Sequence, residues 1–166
     1  ARRGPRWLCR VPPGMPVFPL LTVEEHLLMR AFTVRSGEEV QKRLAETYEF
    51  MPLLRDRRTQ LASSLSGGEQ VMLSVAKVTM LRPELLLLDE PSLGLSPKMI
   101  DFVYDRVREL TNDGLTTLLV EQNVRKALSV AGHIIVLVLG EVRFSGPPAE
   151  LESSVDVGKL FREGKL

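Results

Sequence analysis

The stretch Leu85-Leu86-Leu87-Leu88-Asp89-Glu90-Pro91 decides how the rest of the chain is read. Four leucines followed by two carboxylates read as a strand buried on both faces that ends at a polar edge. In an α/β fold that edge is where ligands bind. Successive strand residues point to opposite sides, so the two carboxylates can serve separate roles. Asp89 can hold Mg²⁺, directly or through water, and Glu90 can polarise an attacking water. The same pair also reads as two solvated carboxylates after a core strand, and the strand by itself does not choose.

Downstream, Ser96-Pro97 supplies an N-cap and a proline at the first helical position. Ile100, Val103, Val107 and Leu110 form the buried face of that helix, and Asn112-Asp113-Gly114 ends it. Thr116–Val120 is a β-branched and leucine-rich strand. Asn123 caps a further helix with Val124, Ala127, Leu128 and Ala131 inward and Gly132 closing it. Ile134–Leu139 and Val142–Phe144 flank Gly140-Glu141, a two-residue hairpin signal. The tail from Pro147 reads as a short helix and a frayed end.

Upstream, Ser66 and Glu69 form a capping box with two glycines inside it. The helix it opens runs to about Met80 and stops before Pro83. A polar stretch, Arg55–Ser64, precedes it. Residues 22–50 read as two helices. Thr22 with Glu25 caps the stripe Val23, Leu27, Ala31, and Ser36 with Glu39 repeats the device for Val40, Leu44, Tyr48. The first 19 residues carry five of the 11 prolines and four arginines with no helical or strand period. They read as a loop whose upstream half is missing. The order of elements predicts an α/β fold with a mostly parallel sheet and a helical insert. Its parts are a leader at 1–19, a helical subdomain at 20–64, the α/β core at 65–146 and a tail at 147–166.

Composition narrows the function. The 166 residues carry 22 Lys+Arg against 21 Asp+Glu, a net charge of +1, which argues against nucleic-acid binding through bulk charge. A hydrophobic fraction of 44% supports a real core. The apolar runs fall far below the roughly 18 residues of a membrane span. One cysteine, Cys9, excludes an internal disulfide and fits a reducing compartment. His26 and His133 read as lone surface or half-buried histidines rather than metal ligands.

Leu65-Ser66-Gly67-Gly68-Glu69-Gln70 is the second candidate site. Glycines at a helix start admit a ligand close to the backbone, and the free N–H groups with the helix dipole attract an anion such as phosphate. Alone, the stretch reads as a capping box with a glycine-rich lead-in. Its place decides the matter. It lies one helix upstream of Asp89-Glu90, Ser92-Leu93-Gly94-Leu95-Ser96 follows that pair, and a strand ending Glu121-Gln122-Asn123 comes later. In this order the sequence resembles the nucleotide-binding subunit of an ABC transporter. Leu65–Gln70 is similar to the family signature, Leu85–Glu90 to Walker B, Ser92–Ser96 to the D-loop and Glu121–Asn123 to the switch region. The segments Val11–Glu25, Leu88–Pro97, Leu119–Asn123 and Gly146–Leu151 resemble the branched-chain amino-acid importers within that family, whose wording amide and urea importers share.

The resemblance implies a P-loop-NTPase-like core in which two such domains sandwich two ATP molecules. By position, Ser66, Gly67, Gly68 and Gln70 would meet the ATP bound by the partner subunit, and Asp89 would serve Mg²⁺. Glu90 and Gln122 would act at the hydrolytic water and γ-phosphate, while Ser92, Gly94 and Ser96 would communicate across the dimer. Residues 20–64 would contact a membrane permease, placing the subunit in the cytoplasm at the inner face of the membrane. The expected partners are a second ATPase subunit and the permease, with no nucleic acid.

Three departures qualify that expectation. The P-loop G-x-x-x-x-G-K-[ST] is absent from the sequence, and Gly158-Lys159 does not supply it, with Ser153 at the first glycine position and Leu160 after the lysine. In the family that loop lies upstream of Val11, so a truncated subunit, inactive alone, is expected. The Q-loop position holds Pro13, between Pro12 and Pro16, and offers no side-chain oxygen. The switch position holds Gln122, which cannot become cationic. Two alternatives follow: a degenerate, non-hydrolysing subunit lending its signature to an intact partner, and an ABC ATPase outside transport.

Overall fold

A computed structural model describes residues 8–12 and 17–154, with residues 152–154 described by backbone alone. Pro13, Pro16 and Gly158-Lys159 lie outside the described residues. Two compact units divide at Gln122 and Asn123.

The first unit opens with β1 (Leu8–Val11), where no strand period is legible in sequence. The strand exists because its neighbour supplies the ladder. It pairs in parallel with β2 (Leu85–Asp89), from Leu8 opposite Leu85 to Val11 opposite Leu88. On its other side β2 pairs in parallel with β3 (Thr116–Val120), from Leu85 opposite Thr116 to Asp89 opposite Val120. The sheet order is β1-β2-β3.

Helices join these strands. α1 (Val23–Arg30) starts at a complete Thr22–Glu25 capping box. α2 (Gly37–Phe50) starts at Ser36, whose hydroxyl accepts the Glu39 N–H, but the expected box is only half formed. The Glu39 carboxylate turns instead to Arg43 (2.7 Å) and Arg82 (3.3 Å). The polar stretch before the signature contains a short helix, α3 (Pro52–Asp56), and a 3₁₀ turn at Ala62–Ser64. α4 (Gly67–Leu81) carries the complete Ser66–Glu69 box and ends at Arg82 in the left-handed region, with φ +48°. Arg43 donates to the Met80 carbonyl at 2.9 Å, a cation on the negative end of α4. α5 (Pro97–Asn112) joins β2 to β3.

In a sheet of this order, right-handed crossovers put both connecting helices on one face. Accordingly Cys9, Val11, Leu86 and Leu88 share one core cluster with Leu73, Val75 and Met80 of α4 and Val103 and Val107 of α5. The α1 stripe Val23, Leu27, Ala31 is buried as expected. The β2 leucines are not buried on both faces. Leu86 and Leu88, on one face, are buried, whereas Leu85 and Leu87, on the other, are half-buried beside Leu8, Leu118 and Val120, which are 38%, 56% and 53% exposed. His26 is not a surface residue either. It is fully buried, with Nε2 accepting the Phe18 N–H and Nδ1 donating to the Thr22 carbonyl, both at 2.8 Å. Burial lowers its pKa, and the imidazole is held neutral.

The second unit contains α6 (Val124–Val130), β4 (Ile134–Val138), β5 (Glu141–Gly146) and α7 (Pro148–Ser154). The Asn123 side chain caps α6 by accepting the Lys126 N–H. The inward stripe expected on α6 is only half-buried, and the helix closes at Ala131 rather than Gly132. β4 and β5 pair antiparallel, and Val138 faces Glu141. The turn is therefore Leu139-Gly140, one residue earlier than the sequence suggests. Both residues have positive φ, +51° and +82°, the geometry of a hairpin turn that matches strand twist.

Candidate functional site

The site forms where β2 and β3 end. Asp89 is the last residue of β2, and its Oδ2 accepts a hydrogen bond from Arg10 Nη2 of β1 at 3.1 Å. Alternation along the strand would turn Glu90 to the opposite face, but the chain leaves the strand there. Glu90 adopts φ +47°, a left-handed conformation uncommon for a side-chain-bearing residue. Its N–H donates to the Val120 carbonyl at 2.9 Å, which fixes the turn to the end of β3. The Glu90 carboxylate then accepts a hydrogen bond from Gln122 Nε2 at 2.6 Å. Two of the expected site residues, 32 positions apart, thus meet directly.

The residues that follow complete the loop. Pro91 is buried, and Gly94 has φ +74°, which glycine alone adopts without strain. Ser92 Oγ donates to Glu121 Oε1 at 2.7 Å. Ser96 is exposed at the N-terminus of α5, where its side chain makes no capping bond. The structure therefore brings Ser92 to the carboxylates and leaves Ser96 outside.

The signature stretch lies on the same cleft. Gly67, Gln70, Glu90, Pro91, Gly94 and Leu95 line it. Ser66 and Gly67 are exposed at the first turn of α4. Ser66 N–H donates to Glu69 Oε2 at 2.8 Å, and Arg57 pairs with Glu69 Oε1 at 2.9 Å, so the box is anchored from both sides. Gln70 is turned onto its own loop, with Nε2 donating to the Leu65 carbonyl at 3.2 Å. A Cβ at Gly68 would stand 3.0–3.3 Å from the Met99 side chain, while one at Gly67 would meet nothing within 4 Å.

Two residues of the site carry no assigned role in sequence. The Glu121 carboxylate accepts from Ser92 through Oε1 and from the Tyr104 hydroxyl through Oε2 at 2.5 Å. Burial and this carboxylate push the Tyr104 phenol above its ordinary pKa. Tyr104 lies next to Val103 on the buried side of α5, and a buried tyrosine hydroxyl demands a partner. That demand was the available signal. Arg10 is the other, hidden in a segment with no legible period.

The donor set bears on any cation. Among the described residues no three His, Cys, Asp or Glu side chains gather into a metal cage. Asp89 offers one carboxylate, already shared with Arg10. Such a set fits a divalent cation that arrives with phosphates and keeps some waters, the usual mode of Mg²⁺, rather than an ion held by protein alone. Among the described residues no helix is long and apolar enough to cross a membrane.

Comparison with known proteins gives the family. The ABC transporter family profile matches residues 9–93. The chain is 42% identical over 154 residues to the high-affinity branched-chain amino acid transport ATP-binding protein BraG of Pseudomonas aeruginosa, covering 93% of this chain and 66% of the relative. It is 43% identical over 136 residues to the probable branched-chain amino acid transport ATP-binding protein LivF of Archaeoglobus fulgidus, covering 81% and 57%. Among solved structures it superposes on the ATP binding subunit of an ABC transporter with TM-score 0.74 at 26% identity, covering 86% of this chain and 59% of that one. A dimeric ATP-binding cassette in a post-hydrolysis state, bound to ADP and Pi, gives 0.72 at 28%, covering 85% and 62%. The chain spans less than two thirds of the length of each of these proteins.

Proposed function

The chain belongs to the ABC transporter ATP-binding family, and from that premise we propose that it is part of an ATP-hydrolysing subunit that powers import of branched-chain amino acids or related amides through a membrane permease. The observation that carries the reading is the Glu90–Gln122 pair at the carboxyl edge of the sheet, with Glu90 on one cleft with Gly67 of the signature. The two relatives named for branched-chain amino acid transport support the solute class.

In this reading Glu90 accepts a proton from the attacking water, and Gln122 holds the carboxylate in place and offers its amide to a phosphate oxygen. The Ser66 hydroxyl and the first-turn N–H groups of Gly67 and Gly68 receive the γ-phosphate of an ATP held by the partner subunit, with Gln70 bracing the loop. Asp89 would hold Mg²⁺, which neutralises phosphate charge when bound. Ser92, Gly94 and Ser96 face the partner, and the helices of residues 20–64 contact the permease on the cytoplasmic side of the membrane.

The 166 residues contain no P-loop, so hydrolysis requires one from outside them. The test joins an upstream strand and P-loop from a relative to this chain and measures ATPase activity with and without Glu90→Gln. Activity that falls at least a hundredfold in the variant supports the reading. An intact rate would sink the role of Glu90. One observation favours the second reading, a non-hydrolysing partner: Arg10 already occupies Asp89. Stimulation of an intact relative's ATPase by the unmodified chain would support it, and absence of both stimulation and binding would count against it.

A further inference from the structure

Two adjacent residues at the end of β3 grip two positions of the loop after β2. Gln122 donates to Glu90, and Glu121 accepts from Ser92. The grips are not independent. Glu121 Oε1 takes the Ser92 hydroxyl at 2.7 Å and also the Gln122 backbone N–H at 2.9 Å. One carboxylate oxygen therefore holds both the loop and the backbone from which the Gln122 side chain springs. The other oxygen is fixed by Tyr104 of α5, so the carboxylate is held from three elements: the β2–α5 loop, α5 and the end of β3.

We propose that Glu121 is a positioning residue, whose carboxylate couples the placement of the Ser92 loop to the aim of the Gln122 amide at Glu90. The physical argument is one of shared acceptors. If Ser92 withdraws, Oε1 loses the Ser92 hydroxyl, and its hold on the Gln122 N–H changes. The contact between the Glu121 side chain and the next backbone N–H, 2.9 Å with Ser92 in place, then shifts, and the Gln122 side-chain amide swings with it. The Glu90 N–H is held by the Val120 carbonyl at 2.9 Å and its carbonyl accepts the Leu93 N–H at 3.1 Å, so its backbone is anchored to β3 as well as to the loop. The Gln122–Glu90 contact thus reports the position of Ser92 through the Glu121 carboxylate that both share. This deepens the proposed function, because it rests on Glu90 being the group whose placement governs hydrolysis. It assigns regulation of that placement to Glu121.

The test reads the contact itself on the full chain, without nucleotide. The Gln122 side-chain amide is followed by ¹⁵N–¹H NMR, assigned by its disappearance in Gln122→Leu. Ser92→Ala and Glu121→Ala are each expected to shift the amide resonance and to raise its hydrogen-exchange rate about five- to tenfold, the weight of one ordinary hydrogen bond. Tyr104→Phe, which leaves Oε1 untouched, is expected to give a smaller change in the same direction. Should Glu121→Ala fail to fold, Ser92→Ala and Tyr104→Phe carry the test. A lowered melting temperature with an unmoved Gln122 amide in Ser92→Ala would overturn the proposal and leave Glu121 a structural partner alone. A loss of ATPase in the P-loop-restored Glu90→Gln protein speaks to the function of Glu90 and leaves the amide measurement unaffected, so the two readings fail separately.

Discussion

Replacing Gly67 with alanine separates what the fold needs from what a ligand needs. Gly67 is the first residue of α4, it is exposed, and its φ is not positive. A Cβ there would meet nothing within 4 Å. Alanine keeps the N–H group and the helical backbone, and it removes freedom from the unfolded chain. Such a substitution stabilises by about 0.4–1 kcal/mol where the native conformation accepts it. First-turn placement puts the expected gain near 0.5 kcal/mol, about 1–2 °C in melting temperature for a chain of this length. Gly68→Ala is the control. Its Cβ would press on Met99 Cγ at 3.0 Å and Sδ at 3.3 Å, a flexible side chain that must give way. The helix gain is there offset, and the net change falls between about zero and 1 kcal/mol of destabilisation. Urea unfolding at constant m-value measures both. A loss of 0.5 kcal/mol or more at Gly67→Ala would refute the claim that the fold has no use for this glycine. If stability rises as expected, the glycine is kept for close approach to its backbone. The same variant should then lower the ATPase activity of the P-loop-restored chain, and an unchanged rate would sink that part of the argument.

Ser66→Ala removes one half of a complete capping box and should cost about 1 kcal/mol in urea unfolding; no change would mean the Glu69–Arg57 pair alone sets the helix start. Lys77→Met concerns a buried ammonium lowered from 10.5 to about 8, chiefly by burial and next by the charge of Arg30. The folded state releases this proton before the unfolded state does. The penalty is therefore full below pH 8 and fades as pH rises to 10.5. The variant should exceed the native protein by about 1–3 kcal/mol at pH 7, with an advantage that shrinks toward pH 10; a pH-independent difference would contradict the assignment. Arg10→Ala opens an ion pair whose arginine is 62% exposed, so stability should change by less than about 1 kcal/mol and less still in high salt.

Much of this architecture is legible in the chain because it rests on local rules. The boxes at Thr22 and Ser66 form because a hydroxyl, a carboxylate three residues on and an apolar stripe all agree. Ser36 shows the limit. The same local signal is present, but Arg43 and Arg82 from elsewhere offer Glu39 a charged partner, and the box loses its return bond. β1 escapes reading for the converse reason. Leu8-Cys9-Arg10-Val11 has no period of its own and becomes a strand only beside Leu85–Leu88. At the site, the strand that ends in them marks Asp89 and Glu90 as candidates and the family resemblance adds Gln122, but neither can see Glu121 with Tyr104, because that pair depends on which face of α5 lies over the end of β3.

The separation of Asp89 from Glu90 illustrates how a correct expectation can rest on an incomplete cause. Strand alternation predicts that the two carboxylates part, and they do: Asp89 meets Arg10 and Glu90 meets Gln122. Alternation alone would send Glu90 to the face where Leu86 and Leu88 lie buried under helices. A carboxylate there would pay for desolvation. The left-handed turn at Glu90 avoids that outcome by ending the strand one residue early and carrying the carboxylate out to the sheet edge. The turn itself is costly, since a residue with a side chain at φ +47° stores about 1–3 kcal/mol of strain, and the following Pro91 removes the neighbouring helical alternative. Glycine would relieve the strain and lose the carboxylate. The chain retains the strained glutamate, held by Val120 on its backbone and Gln122 on its side chain, and that choice argues that the carboxylate, not the turn, is what this position is for.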